Sequence, residues 1–169
     1  KTAKIIIAPK REYIDNLDEL PFPNRDLLKR EIYIKPLSPG IYQDKNIKAT
    51  VILTSRGCPY QCIFCCARYI EGPKCRMRSI ENVMKEIDEI VKKYNYNYLF
   101  VGDDNFTINK NRVLEFCEGI KKYNLKWFCE ARVDAVDTEL LQKMKESGCS
   151  KIAFGLESGR PRILKLYFY

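Results

Sequence analysis

The chain has 169 residues, with 30 basic and 22 acidic side chains for a net charge of +8, eight cysteines and no histidine. Hydrophobic residues make up 46% and charged residues 31%, which excludes disordered, collagen-like and low-complexity architectures. No apolar run reaches the ~18 residues of a membrane span, and the lack of histidine removes Ser-His-Asp triads, histidine-ligated zinc hydrolases and imidazole general bases.

Residues 1–46 differ from the rest. Ile5-Ile6-Ile7 is a short apolar run, after which Pro9, Pro21, Pro23, Pro36 and Pro39 forbid long helices and favour an extended linker lying on a domain surface. Asp26–Glu31 has room for a turn or two of helix. The chain opens on Lys1 and lacks a secretory apolar core there, so it is expected to start inside a longer protein and to be cytoplasmic. Without an export signal, eight cysteines point to metal binding or redox chemistry rather than to a disulfide framework.

From residue 47 to 169 strands and helices alternate. Ala49–Thr54 is a β-branched run that ends at Arg56-Gly57, as a buried strand does. Ser79 caps a helix whose apolar positions are Ile80, Val83, Met84, Ile87, Ile90, Val91 and Tyr94, a spacing of three and four. Tyr98–Val101 is the second strand, and Asn109 caps the next helix, with Val113, Phe116, Cys117 and Ile120 on its inner face. Trp127–Cys129 is the third strand. Asp137 or Thr138 caps a helix carrying Leu140, Leu141 and Met144, and Gly148 stands where a helix C-terminus wants positive φ. Lys151–Gly155 is the fourth strand. Four strands separated by helices argue an α/β fold with a parallel sheet, either doubly wound or part of a barrel.

The chemistry concentrates in the loop after the first strand. Cys58-Pro-Tyr-Gln-Cys62-Ile-Phe-Cys65 puts three thiols within eight residues, where neither helix nor sheet holds them apart. Iron–sulfur clusters are normally held by four such thiolates, so three ligands leave one iron open. A zinc knuckle is the competing reading, with Cys66 or Cys75 as fourth ligand. Cys66 and Cys75 also read as redox thiols or packing residues, Cys117 and Cys149 as small hydrophobes, and Cys129 could face either way.

The CxxxCxxC motif with Phe64 before its last cysteine, within the string Thr54-Ser55-Arg56-Gly57-Cys58-Pro59-Tyr60-Gln61-Cys62, resembles the signature of the radical S-adenosylmethionine enzymes. The segments Asp18–Leu28, Cys129–Asp134 and Phe154–Gly159 are similar to those of the cobalamin-binding branch, which includes the anaerobic magnesium-protoporphyrin ester cyclases and related methylases. The resemblance covers about residues 9–160. It implies a 4Fe-4S cluster on Cys58, Cys62 and Cys65, whose open iron chelates S-adenosylmethionine. One electron from the cluster cleaves the cofactor to a 5′-deoxyadenosyl radical that abstracts hydrogen, feeding methyl transfer or ring formation. It further implies a small-molecule substrate, an electron donor such as flavodoxin or ferredoxin, anaerobic chemistry, and cobalamin as an option for a full-length parent.

In parallel α/β folds the chemistry gathers at the carboxyl ends of the strands. The second strand ends in Gly102-Asp103-Asp104-Asn105-Phe106, the third in Glu130-Ala131-Arg132-Val133-Asp134 and the fourth in Glu157-Ser158-Gly159. The resemblance places Asp103 and Asp104 where the family binds the cofactor's amino group. Arg132 then suits its carboxylate, Glu130 with Glu157 or Ser158 its ribose hydroxyls, and Phe64 its adenine. The plainer readings are that Asp103-Asp104-Asn105 is a turn and that Glu130 and Arg132 pair with each other.

The family core is a six-unit partial barrel, and four units are visible here. The fold expected is thus a partial (βα) barrel of the radical S-adenosylmethionine type over 47–169, preceded by the extended linker 1–46. The apolar end Leu166-Tyr167-Phe168-Tyr169 reads as a truncated or frameshifted terminus. A tRNA-modifying enzyme of the same superfamily is the reading that the charge suggests. The lysines at 85, 92, 93, 121 and 122, however, sit on helix faces as solvated side chains do.

Overall fold

The computed structural model describes residues 11–29 and 46–167, together with Ile5, Ala8, Pro9 and Ile32. Ile6, Ile7, Pro36, Pro39, Phe168 and Tyr169, and the end of the Asp26–Glu31 segment, lie outside the described residues. In chain order the strands are β1 (Ala49–Ile52), β2 (Ser55–Arg56), β3 (Arg76–Met77), β4 (Tyr98–Val101), β5 (Lys126–Ala131) and β6 (Cys149–Phe154). The helices are α1 (Ala67–Ile70), α2 (Ile80–Lys92), α3 (Lys110–Ile120), α4 (Thr138–Glu146) and α5 (Pro161–Tyr167).

The main sheet has the order β1-β4-β5-β6 and every neighbouring pair is parallel. Its strands follow one another in space as they do in the chain. A doubly wound sheet requires the order to reverse at a switch point. Right-handed crossovers that always step the same way instead put every helix on one face, which is the wall of a barrel. The structure therefore selects the barrel arrangement from the two that strand–helix alternation allows. The β2–β3 pair is a separate antiparallel ribbon; it ends the expected first strand early, at Ile52, and closes the base of the cysteine loop.

Alternation along the strands explains the core. Ile52, Leu99, Val101, Trp127 and Cys129 point to the helix side and meet Val83, Ile87 and Ile90 of α2, Val113, Phe116 and Ile120 of α3, and Leu140 and Met144 of α4. Full burial of each such side chain stabilises the fold by about 1.5–3 kcal/mol. Trp127 is the keystone, edge-to-face with Phe106 and Phe116 at centroid separations of 5.7 and 5.2 Å, its indole N–H donating to the Ser147 carbonyl at 3.1 Å. On the opposite face Phe100 stacks on Phe128 at 4.3 Å, beside a partly exposed Val51.

The helix starts fall where the capping residues stand. Ser79 Oγ accepts from the Asn82 N–H, Asn109 Oδ1 from that of Arg112, and Asp137 Oδ1 from that of Leu140, at 3.1, 3.1 and 2.8 Å. Each such cap contributes about 1 kcal/mol. Gly148 ends α4 at φ +99°, where a Cβ would lie 2.2 Å from the Leu125 carbonyl oxygen, so no other residue fits.

The described stretch 11–29 of the amino-terminal segment forms two 3-10 turns, Leu17–Glu19 and Arg25–Leu27, capped by Asn16 and Asn24, and buries Leu17 and Arg25. Arg25 Nη2 pairs with Glu86 of α2 at 2.8 Å and donates to the Val51 carbonyl at 3.0 Å, while Arg78 takes the other oxygen of Glu86. Asp18 accepts from the Ser79 N–H at 2.9 Å. Glu86 is 1% exposed, although charge alone would place it on the solvent side of α2. Glu86→Ala is expected to lower stability by about 3–5 kcal/mol in urea denaturation, because it strands two arginines. Glu81→Ala, which removes an exposed pair with Lys85 on the same helix, is expected to change stability by less than ~1 kcal/mol.

Candidate cofactor site

The cysteine loop leaves β1 under tight restraint. The buried carboxylate of Asp103, at the end of β4, accepts from the Thr54 N–H at 2.6 Å, from Thr54 Oγ1 at 2.6 Å and from Ser55 Oγ at 2.7 Å. Arg112, from the first turn of α3, donates to Thr54 Oγ1 at 3.0 Å, to the Thr54 carbonyl at 2.9 Å and to the Arg78 carbonyl at 3.0 Å. Two neighbouring βα units thus fix the point from which the loop departs. Gly57 then turns at φ +89°, where a Cβ would stand 2.3 Å from the Lys74 carbonyl oxygen. The Cys58 N–H donates to the Gly72 carbonyl at 3.2 Å, closing the loop on its own base.

Within the loop the Cys65 N–H donates to the Cys62 carbonyl at 3.0 Å. The Cys65 sulfur accepts from the Ala67 N–H at 3.5 Å, and the Cys62 sulfur from Arg132 Nη1 at 3.7 Å. Cys58 and Cys62 are half-buried, Cys65 is exposed, and all three are free thiols. Burial pushes the Cys58 thiol up, the Asp104 charge and the other two thiols add to this, and a backbone hydrogen bond at Tyr60 opposes it. Three soft donors with N–H and guanidinium groups aimed at two of them suit an iron–sulfur centre, which binds through thiolates. Among the described residues no three Cys, Asp or Glu side chains converge on a point that a single metal ion would fill.

The remaining cysteines stand apart from that set. Cys66 is the exposed N-cap residue of α1, and Cys75 is half-buried, its thiol pushed up by burial. Cys117 and Cys129 belong to the core between sheet and helices, with Cys149 packed against it; burial pushes the Cys117 thiol up to about 11.

The other predicted site residues occupy the same rim in different ways. Asp104 is exposed. Desolvation and then the Glu71 charge push its carboxyl up, while the Gly57 backbone opposes them. Glu130 and Glu157 are exposed on β5 and just beyond β6, Glu157 at φ +51°. Ser158 Oγ accepts from the Arg160 N–H at 3.1 Å. The Phe64 ring is half exposed and meets Tyr167 of α5 edge-to-face at 5.3 Å. Two residues expected to touch the cofactor are otherwise employed. Asp103 is 2% exposed and spends its carboxylate on Thr54 and Ser55. Arg132 grips Asp134 through Nε and Nη2 at 3.0 and 2.6 Å, rather than pairing with Glu130, and its guanidinium lies 4.1 Å from the Tyr60 ring centroid.

Sequence reasoning missed Arg112. The available signal was its place in the first turn of a helix, where a cation opposes the helix dipole and so calls for another employment.

A one-directional parallel βα wall carrying a three-thiol loop beyond its first strand defines the class: an α/β fold of the partial-barrel type with a cysteine loop at the rim where its strands end. The model of the Radical SAM superfamily matches residues 52–167, and the chain belongs to that superfamily. It is 34% identical, over 98% of its length, to an uncharacterized methyltransferase of Pyrococcus horikoshii, of which it covers 34%. It is also 28% identical over 92% of its length to the anaerobic magnesium-protoporphyrin IX monomethyl ester cyclase of Rubrivivax gelatinosus, covering 27% of that protein. Among solved structures, the radical S-adenosylmethionine methyltransferase TsrM of Kitasatospora setae, with cobalamin and a [4Fe-4S] cluster bound, superposes with a TM-score of 0.66 over 70% of this chain and 23% of that one, at 19% identity. The chain therefore spans about a third of the curated relatives it matches, or less. Its family is one of enzymes, the relatives being methyltransferases and cyclases, and no helix among the described residues is long and apolar enough to cross a membrane.

The carboxylate of Asp103 yields a direct test. Asp103→Ala leaves three buried donors without their acceptor, each costing about 1–3 kcal/mol. The variant is expected to lose several kcal/mol in urea denaturation and to bind less iron on anaerobic reconstitution, whereas Glu130→Ala keeps wild-type stability.

Proposed function

We propose that this chain is the cluster- and S-adenosylmethionine-binding part of a radical enzyme that serves methyl transfer or ring closure on a small molecule. The observation that carries the reading is the CxxxCxxC loop, clamped at its origin by Asp103 and Arg112 and opening onto the rim where β4, β5 and β6 end. A 4Fe-4S cluster bound to Cys58, Cys62 and Cys65 would supply the single electron that cleaves the sulfonium of S-adenosylmethionine to a 5′-deoxyadenosyl radical.

The protein's own part is to bind and orient. The three cysteines each give one thiolate to a different iron, so they need to be spread around a cube rather than drawn to one point. Cys66 and Cys75 lie outside the CxxxCxxC spacing, so neither is assigned to the centre. Asp104, exposed just beyond β4, would accept from the cofactor's ammonium. Glu130, Glu157 and Ser158 offer acceptors for its ribose, and the exposed part of Phe64 offers an apolar edge for adenine. Asp103 holds the loop rather than the cofactor. Residues 1–46 act as a linker that is docked through Asp18 and Arg25. In the whole protein the similarity to methyltransferases and to TsrM favours cobalamin as the methyl carrier, with a small flavodoxin- or ferredoxin-like protein as electron donor.

Anaerobic reconstitution followed by dithionite reduction and electron paramagnetic resonance tests the reading. About four irons and four sulfides per chain are expected, with a reduced-cluster signal that shifts on adding S-adenosylmethionine. Cys65→Ala is expected to lose that signal. Stoichiometric zinc without iron, or a cluster retained in Cys65→Ala, would overturn the assignment.

A further inference from the structure

We propose that Arg132 is a positioning and potential-setting residue of the cluster, acting on the Cys62 thiolate, rather than the fork that grips the cofactor's carboxylate. This rests on the assignment of Cys58, Cys62 and Cys65 as cluster ligands.

The geometry divides the guanidinium between two tasks. Nε and Nη2, the side-on edge by which a guanidinium grips a carboxylate bidentately, are already bonded to Asp134 at 3.0 and 2.6 Å, which also removes Nη2 from the end-on pair. Nη1 is directed elsewhere, to the Cys62 sulfur at 3.7 Å, which is a hydrogen-bonding distance for sulfur. The flat face covers the Tyr60 ring at 4.1 Å, a cation–π contact. Tyr60 and Cys62 both belong to the cluster loop, and Arg132 and Asp134 both follow β5. Arg132 therefore fastens the middle of the loop from β5, as Arg112 fastens its origin from α3. For the cofactor's carboxylate to use this fork it would have to displace Asp134.

The electrostatic consequence has a definite sign. Reduction adds one negative charge to the cluster, and its potential depends on hydrogen bonds to the sulfurs and on nearby charge. A cation with an N–H directed at a ligating sulfur stabilises the reduced state more than the oxidised one, so it raises the potential. Asp134 opposes this only in part, because its side chain is 57% exposed and screened by water, whereas that of Arg132 is 21% exposed.

The experiment is a redox titration of the reconstituted chain without S-adenosylmethionine, followed by electron paramagnetic resonance, with iron and sulfide content measured in parallel. Arg132→Gln is expected to keep its iron and to lower the equilibrium constant for reduction about tenfold, which is 59 mV toward negative potential for one electron. Arg132→Lys, which keeps the charge but loses the planar fork, is expected to recover part of that shift. An unchanged potential in Arg132→Gln, with weakened binding of S-adenosylmethionine, would return Arg132 to the cofactor and overturn the proposal. If Arg132→Gln fails to hold a cluster, Arg132→Lys decides. A cluster in the lysine variant at a potential near that of the wild type supports the proposal, and no cluster in either variant overturns it. Failure of the wild-type chain to take up iron is a separate outcome, which overturns the proposed function and this inference with it.

Discussion

The carboxylate of Asp103 is the group on which the arrangement depends. Three donors from two consecutive residues, Thr54 and Ser55, meet it away from water, where a charge-assisted hydrogen bond is about twice as strong as a neutral one. A parallel strand pair holds its strands together only as far as its ladder runs, and the β1–β4 ladder stops at Ile52 and Val101. Asp103 extends the connection beyond the ladder, so the cysteine loop starts from a fixed backbone. Together with Arg112 and the β2–β3 ribbon, that extension gives Gly57 and Cys58 a fixed origin.

From Asp103 a continuous set of polar contacts runs outward. Thr54 accepts from Arg112, and Arg112 also donates to the carbonyl of Arg78. The side chain of Arg78 pairs with Glu86, which pairs with Arg25 of the amino-terminal segment. Three arginines and two acids are thereby held near or inside the protein, each with several partners, which is how such groups avoid the cost of burial. The described stretch 11–29 is thus fastened to the wall: its Arg25 neutralises a carboxylate whose other partner, Arg78, touches the base of the cysteine loop.

Much of this was legible in the sequence. The strands and the three long helices follow from period-two and period-3.6 patterning with side-chain caps, because in those segments local preference and burial agree. Ser79 and Asn109 start their helices as read, Asp137 is the cap of the two residues offered for the third, and Gly148 turns as read. The illegible parts are those in which a charge is buried by a partner far away in the chain. Glu86 pairs with Arg25 across 61 residues, and Arg112 reaches Thr54 across 58; neither pairing leaves a local pattern. For the same reason Asp103 and Asp104, adjacent and chemically alike, could not be told apart. Successive side chains beyond a strand end point in different directions, so one is buried under Thr54 and the other stands exposed at the rim.

The net charge of +8 is a poor guide to the site for a related reason. Much of it lies on helices, where Lys85, Lys92 and Lys121 pair with carboxylates one turn away and salt screens what is left within about 10 Å. At the strand ends both signs are present. Asp104, Glu130, Asp134 and Glu157 are exposed, as is Arg160 just beyond Ser158, and Arg132 is tied to Asp134 and directed at a loop sulfur. The local arrangement of these groups, and not the total charge of the chain, sets the field beside the cysteines.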